Sequence, residues 1–209
     1  MKVIKSSIPE VMIMEPSEDE FVYRSVKETY SLLPMIKKGV DVRFYSEGET
    51  HIEHSGTLCG IYYETGHDMQ GKMIRCATGG IILCVVDLNY KENKLGSSLL
   101  IKVDDENKRQ VYIPKGFGFG FLTITDNTFV QYKFEQNCTG EKWEVFNALS
   151  EELAIKWPLP TKLIMSASEK YAPAFSVAIQ NIIEKERLLD SVEWIVEGED
   201  AKEEYEVEE

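Results

Sequence analysis

The sequence predicts a mainly β fold, either a sandwich or a closed antiparallel barrel, followed by a C-terminal helix. Three observations carry this. Seven short runs between residues 57 and 134 are rich in β-branched and aromatic side chains, the composition that suits a pleated surface. Compact turn signals separate them at even spacing, the mark of an all-β sandwich or barrel. After Trp157-Pro158-Leu159-Pro160 the apolar spacing changes to a helical period.

Taken in order, Met1–Met14 reads as an extended arm with a break at Pro9. Ser17-Glu18-Asp19-Glu20 has the form of a capping box. The β-prone Phe21-Val22-Tyr23 follows it, so this element is either a strand or a first helical turn. Val26–Lys38 carries a helical apolar pattern interrupted at Pro34 and closed by Gly39. Val40–Tyr45 alternates as a strand and Ser46-Glu47-Gly48-Glu49 reads as a turn. The predicted strands of the body are Thr57–Tyr63, Lys72–Ala77, Ile81–Leu88, Ser97–Val103, Gln110–Ile113, Gly120–Ile124 and Thr128–Phe134. After the Pro114-Lys115-Gly116 turn that follows Gln110–Ile113, Gly116, Gly118 and Gly120 alternate with Phe117, Phe119 and Phe121. At period two the rings share one face and the glycines the other, which suits a packed barrel corner or a close approach by a ligand. Phe175, Ile179, Ile182, Ile183 and Leu188 mark an amphipathic helix over Pro173–Leu189. The expected organisation is a β body with an N-terminal arm over 1–165, a C-terminal helix over 166–189 packed on it, and an acidic tail over 190–209.

Composition narrows the function classes. The 209 residues suffice for one substantial domain. The formal charge is −13, but residues 190–209 hold ten acids against Lys202 alone, contributing −9. The body is therefore only mildly acidic, at −4, and offers no basic stripe for a nucleic-acid backbone. No apolar run approaches a membrane span and Met1–Ser7 shows no secretory pattern, so a soluble, cytoplasmic protein is expected. Cys59, Cys76, Cys84 and Cys138 are scattered, without CxxC spacing, and read as free thiols rather than a disulfide frame or zinc site.

Several collinear segments resemble the dTDP-4-dehydrorhamnose 3,5-epimerase family. They are Gly56-Thr-Leu-Cys-Gly-Ile-Tyr62, Gln70-Gly-Lys-Met-Ile-Arg-Cys76, Val85-Val-Asp-Leu88 and Glu106-Asn-Lys-Arg-Gln110. Ile113-Pro-Lys-Gly-Phe-Gly-Phe-Gly-Phe-Leu122, Tyr132-Lys133, Phe146-Asn147 and Leu153-Ala-Ile-Lys-Trp-Pro158 continue the series. The resemblance runs from about Glu15 to Pro173 and implies a cupin-type double-stranded β-helix (jelly roll) that forms a homodimer through exchanged N-terminal strands. It further implies action on a nucleotide-linked 4-keto-6-deoxy sugar with no metal and no cofactor. In that reaction a base removes a proton alpha to the ketone, cations stabilise the enolate, and an acid returns the proton to the other face.

The resemblance also places residues. The family's histidine base, from a Gly-[Thr/Val]-Leu-Arg-Gly-Leu-His segment, corresponds to Tyr62, and the arginine of that segment to Cys59. The second histidine corresponds to Phe119. The carboxylate that orients the base, in a Ser-Glu-Lys-Asp-like segment, falls on Tyr171, and the N-terminal Arg-Gly-Phe element on Asp19-Glu20-Phe21. Retained are Lys72 beside the oxyanion, Tyr132 at the acid position, and Arg75, Asn107, Lys108, Arg109 and Gln110. The candidate catalytic residues are thus Tyr132, Tyr62 and Lys72. The candidate substrate-binding residues are Lys72, Arg75, Asn107, Arg109 and Phe119.

Each has a plainer alternative. Ionising a phenol of pKa ~10 at neutral pH costs roughly 4 kcal/mol, so Tyr62 either serves as a handicapped base or packs on Phe119. Tyr132 is either a proton donor or a lining aromatic. Lys72 and Arg75, three apart on a strand, point to opposite faces. Glu106–Gln110 is either a ligand loop or a solvated hairpin turn. His51, His54 and His67 lie in polar loops. Three functions follow: an epimerase-like protein of nucleotide-sugar biosynthesis with altered or lost proton transfer, a catalytically silent sugar-nucleotide binder or partner subunit, or a cupin-fold interaction protein with no sugar site.

Overall fold

The structure is a computed structural model that describes residues 2–16, 18–21, 24–27, 29–37, 39, 41–136 and 143–203. Two antiparallel sheets face one another. The first contains β1 (Lys2–Lys5), β2 (Met12–Glu15), β5 (Ser46–Ile52), β7 (Lys72–Thr78), β10 (Gln110–Ile113) and β12 (Thr128–Phe134). Its spatial order is β1-β2-β10-β7-β12-β5. The second contains β6 (Leu58–Tyr63), β8 (Gly80–Asp87), β9 (Ser98–Asp104), β11 (Phe117–Thr123) and β13 (Glu144–Val145), in the order β13-β6-β11-β8-β9. Separately, β3 (Glu18–Phe21) pairs antiparallel with β4 (Arg24–Lys27). This is the expected mainly β jelly roll.

Side-chain alternation divides the core into layers. Ile74, Val111, Val130 and Phe134 of the first sheet meet Leu83, Val85, Phe119 and Phe121 of the second in the barrel interior. The outward residues Leu58, Ile61, Cys84 and Val86 pack beneath Phe175, Ala178, Ile179 and Ile182 of α3 (Phe175–Glu203). β8 is buried on both faces, so it reads as an unbroken apolar run instead of an alternating one. Outside the first sheet, Met12, Met14, Met73 and Tyr112 cluster with Met35 of α1 (Leu32–Ile36).

The Phe/Gly alternation resolves in favour of a packed corner. Phe117, Phe119 and Phe121 point inward. A Cβ on Gly118 would lie 2.9 Å from Ile61 Cγ2, and one on Gly120 would lie 2.5 Å from the Cys59 carbonyl oxygen. The glycines therefore let β6 lie against β11.

The N-terminal third corrects several expectations. The arm is extended and broken at Pro9 as expected, its two strands forming the β1–β2 hairpin that pairs with β10. Glu18–Phe21 is a strand, and the helix expected over Val26–Lys38 is only the five residues of α1, because β4 claims Arg24–Lys27. Gly39, at φ +87°, closes α1 as expected and donates its N–H to the Ile36 carbonyl at 2.9 Å. Residues 41–45 form no strand, and the expected turn Ser46–Glu49 lies inside β5. A seven-residue ladder with β12, from Thr128↔Ile52 to Phe134↔Ser46, outweighs the local turn preference. Its outward side chains pair across the strands. Lys133 meets Glu47, Gln131 donates to Glu49 at 2.7 Å, and His51 stacks on Phe129 at 4.3 Å.

At the other end α3 starts where Pro173 releases the chain, its Phe175 N–H donating to Ser150 Oγ at 3.2 Å. The helix continues past the expected limit at Leu189 to Glu203, so most of the expected tail is helical backbone, and residues 204–209 lie outside the described residues. Leu188, expected on the packed face, is 65% exposed.

Candidate functional site

Strand register brings four of the predicted site residues together. Phe119 of β11 sits directly opposite Tyr62 of β6. Lys72 of β7 faces Phe134 of β12, and Tyr132 is inward on the same strand. Trp143 precedes β13, whose Val145 pairs with Tyr62. Its indole is 5.5 Å from the rings of both Tyr62 and Phe119, 6.1 Å from Tyr132 and 5.8 Å from Phe134. The Phe119 ring is 5.7 Å from Tyr62 and 6.3 Å from Tyr132. The middle of the barrel is thus an aromatic cluster.

Two buried carboxylates, neither foreseen, organise the polar edge of this cluster. Glu64 lies two residues beyond Tyr62, hence on the same face. It accepts from Lys72 Nζ at 2.9 Å, Trp143 Nε1 at 3.0 Å, and both the backbone and side-chain nitrogens of Gln70 at 3.2 Å. The Lys72 and Glu64 side chains are each 2% exposed. Burial holds the Lys72 ammonium below its ordinary range, an effect opposed by Glu64 and Glu135. The ammonium also lies 5.4 Å over the Phe119 ring. The cation expected beside an oxyanion is therefore already paired.

Glu169 belongs to the short helix α2 (Ala167–Lys170) and is 4% exposed. It closes a capping box with Ser166 and accepts from Tyr62 Oη at 2.5 Å, Gly60 N at 3.0 Å and Ser166 Oγ at 2.7 Å. Burial alone would raise its carboxyl; these bonds hold it below the usual range. The converse applies to the phenol, since burial and then the bond to Glu169 push Tyr62 far above its ordinary value. Burial and the Glu169 charge likewise push the Cys59 thiol up to about 12. Tyr62 is thus held protonated, as a donor to Glu169.

Other predicted residues lie elsewhere. Tyr171 is 79% exposed, and the carboxylate that meets the Tyr62 hydroxyl is Glu169 instead. Lys72 and Arg75 do point to opposite faces, and Arg75 donates to Gln131 at 2.7 Å outside the barrel. Asn107 shapes the β9–β10 turn by accepting from Arg109 N at 2.8 Å and donating to the Lys102 carbonyl at 3.2 Å. Arg109 pairs with Glu15 at 2.8 Å. Locally these residues do hairpin work. His51, His54 and His67 are exposed and stand apart from the cluster. Among the described residues, Cys59, Cys76 and Cys84 are free thiols, and no group of three or more His, Cys, Asp or Glu side chains is placed to hold a metal.

Comparison with known proteins agrees with the architecture. Residues 5–176 match the family model described as dTDP-4-dehydrorhamnose 3,5-epimerase. The chain belongs to the dTDP-4-dehydrorhamnose 3,5-epimerase family. It is 29% identical over 184 residues to the dTDP-4-dehydrorhamnose 3,5-epimerase of Salmonella typhimurium, covering 86% of this chain and 98% of that one. It is 30% identical over 180 residues to the Escherichia coli protein of the same name, covering 81% and 92%. The crystal structure of the dTDP-6-deoxy-D-glucose-3,5-epimerase of Legionella pneumophila, in complex with dTDP-4-keto-L-rhamnose, is similar at 25% identity and TM-score 0.78, covering 84% of this chain and 93% of that one. In this epimerase-family chain the interior positions are thus occupied by Tyr62, Phe119, Tyr132, Trp143 and the Lys72–Glu64 pair, while α3 lies almost wholly beyond the family match. No helix among the described residues is long and apolar enough to cross a membrane.

Proposed function

We propose that this epimerase-family protein works in deoxysugar biosynthesis as a cytoplasmic homodimer that binds a nucleotide-linked 4-keto-6-deoxy sugar and has lost the base that begins the family's reaction. One observation carries the loss: the group at the base position is a phenol donating at 2.5 Å to a buried carboxylate. Removing a proton alpha to a ketone needs an acceptor whose pKa lies near the working pH, and a phenol held in this way cannot supply one. Pairing of Lys72 with Glu64 adds to the effect, because an ammonium already neutralised contributes less to an enolate. Lys72 and Phe119 line the interior at the positions where the family motifs place the sugar. Arg75, Asn107 and Arg109, on the outer face and the hairpin, are the candidates for the nucleotide.

Proton NMR of dTDP-4-keto-6-deoxyglucose in deuterium oxide tests this reading. The expected result is broadening of the nucleotide resonances on adding protein, with no deuterium entering C3 or C5 above the protein-free rate. Exchange that disappears in Tyr132→Phe would refute the loss of proton transfer. Neither broadening nor exchange would refute the sugar-nucleotide reading itself.

A further inference from the structure

Among the described residues, Trp143 is the one member of the aromatic cluster that reaches the barrel from outside the β-strands, and it meets each of the cluster's other rings. Its indole contacts the rings of Tyr62, Phe119, Tyr132 and Phe134, and its N–H is spent on Glu64. A sugar ring that met Tyr62, Phe119 and Tyr132 together would need the volume the indole fills. The backbone that follows it is fixed. Phe146 and Ile61 exchange N–H···O bonds at 3.0 and 2.9 Å. Glu144, the next residue, accepts from Tyr63 Oη at 3.0 Å and pairs with Lys185 of α3. The helix beyond the family match thereby ties down the segment that carries the tryptophan.

We propose that Trp143, anchored by Glu64, is the specificity-determining residue that closes the barrel interior to the sugar half of the ligand. This rests on the sugar-nucleotide reading above. The protein then holds a sugar nucleotide through its nucleotide half, and the sugar is not seated beside Lys72. Glu64 has two tasks in this arrangement: it neutralises Lys72 and it fixes the indole.

The test compares wild type with Trp143→Ala in two assays. In the first, calorimetric titration gives the affinity for dTDP and for dTDP-4-keto-6-deoxyglucose. Wild type is expected to bind the two about equally. Trp143→Ala is expected to bind the sugar nucleotide about tenfold tighter than dTDP, with its affinity for dTDP itself unchanged. In the second assay indole is added back, since an apolar cavity of this kind takes up an aromatic guest. Indole should raise the melting temperature of Trp143→Ala and leave that of wild type unmoved. An indole effect without a change in the affinity ratio overturns the proposal, and so does the absence of an indole effect. Failure of both proteins to bind either nucleotide, with indole still taken up, counts against the sugar-nucleotide reading and leaves closure by Trp143 supported. If Trp143→Ala does not fold, Trp143→Leu is titrated instead, and an unchanged affinity ratio there overturns the proposal.

Discussion

Breaking the Tyr62–Glu169 contact tests whether the phenol is held as a donor. The perturbation is a double-mutant cycle of Tyr62→Phe and Glu169→Gln. A hydrogen bond to a charged acceptor contributes about 1.5–3 kcal/mol. The distance of 2.5 Å and the burial of Glu169 argue for the full range, but Tyr62 is partly exposed, so the lower end applies. Tyr62→Phe should cost about 1.5 kcal/mol. Glu169→Gln should cost roughly 1–3 kcal/mol more, because an amide nitrogen would then face the Ser166 N–H that now donates to Oε2 at 3.1 Å. The coupling energy read from urea unfolding midpoints at constant slope should be about 1.5 kcal/mol. A value below about 0.5 kcal/mol, within the range of simple additivity, would refute the reasoning. The phenol would then be hydrated, and Tyr62 would again be a possible base.

Three further outcomes are expected. Glu64→Ala should destabilise the fold by about 3–5 kcal/mol, because it leaves the Lys72 ammonium buried beside no direct partner, while the apolar pair Glu64→Leu with Lys72→Met should recover most of that loss in the same urea assay. The Glu169 carboxyl lies below its ordinary 4.5 in the folded chain, so its contribution is complete above pH 4.5 and disappears as pH falls through the folded value. Tyr62→Phe should flatten that acid limb in a pH series of unfolding midpoints. Tyr62→His combined with Trp143→Ala places an imidazole against Glu169 in an interior open to the sugar and should raise deuterium exchange at C3 or C5 of the 4-keto sugar by about 10²-fold over Trp143→Ala alone; an unchanged rate would mean that the base is not the missing component.

The sequence reading succeeded where local pattern and tertiary environment agree. β10 and β12 have the limits their alternation predicts, and the Phe/Gly run of β11 announces its two faces, because close strand packing leaves no room for a Cβ at Gly118 or Gly120. It failed where a partner strand decides. Ser46–Glu49 has turn chemistry, yet β12 recruits it as an edge strand whose acids lie on the outer face. Of the site, Tyr62, Phe119, Lys72 and Tyr132 converge as the family motifs imply. Glu169 escapes the family motif, which aligns on Ser168 and puts the carboxylate at residue 171. The signal was present in Ser166-Ala-Ser-Glu169, a capping-box spacing that buries its acid. Glu64 has the same strand parity as Tyr62 but lies beyond the recognised segment. Trp143 carries no periodic signal, since its position depends on contacts between residues far apart in the chain.

An interior filled by rings also changes how the molecule responds to compression. Pressure favours unfolding to the extent that internal voids vanish in the process, with volume changes of about −20 to −100 mL/mol for globular proteins. A barrel that keeps an open chamber has such a void at its centre. Here Phe119, Tyr132, Phe134 and Trp143 occupy that centre, and little empty volume is released there when the chain unfolds. The rings that fill this interior therefore place the barrel toward the pressure-resistant end of that range.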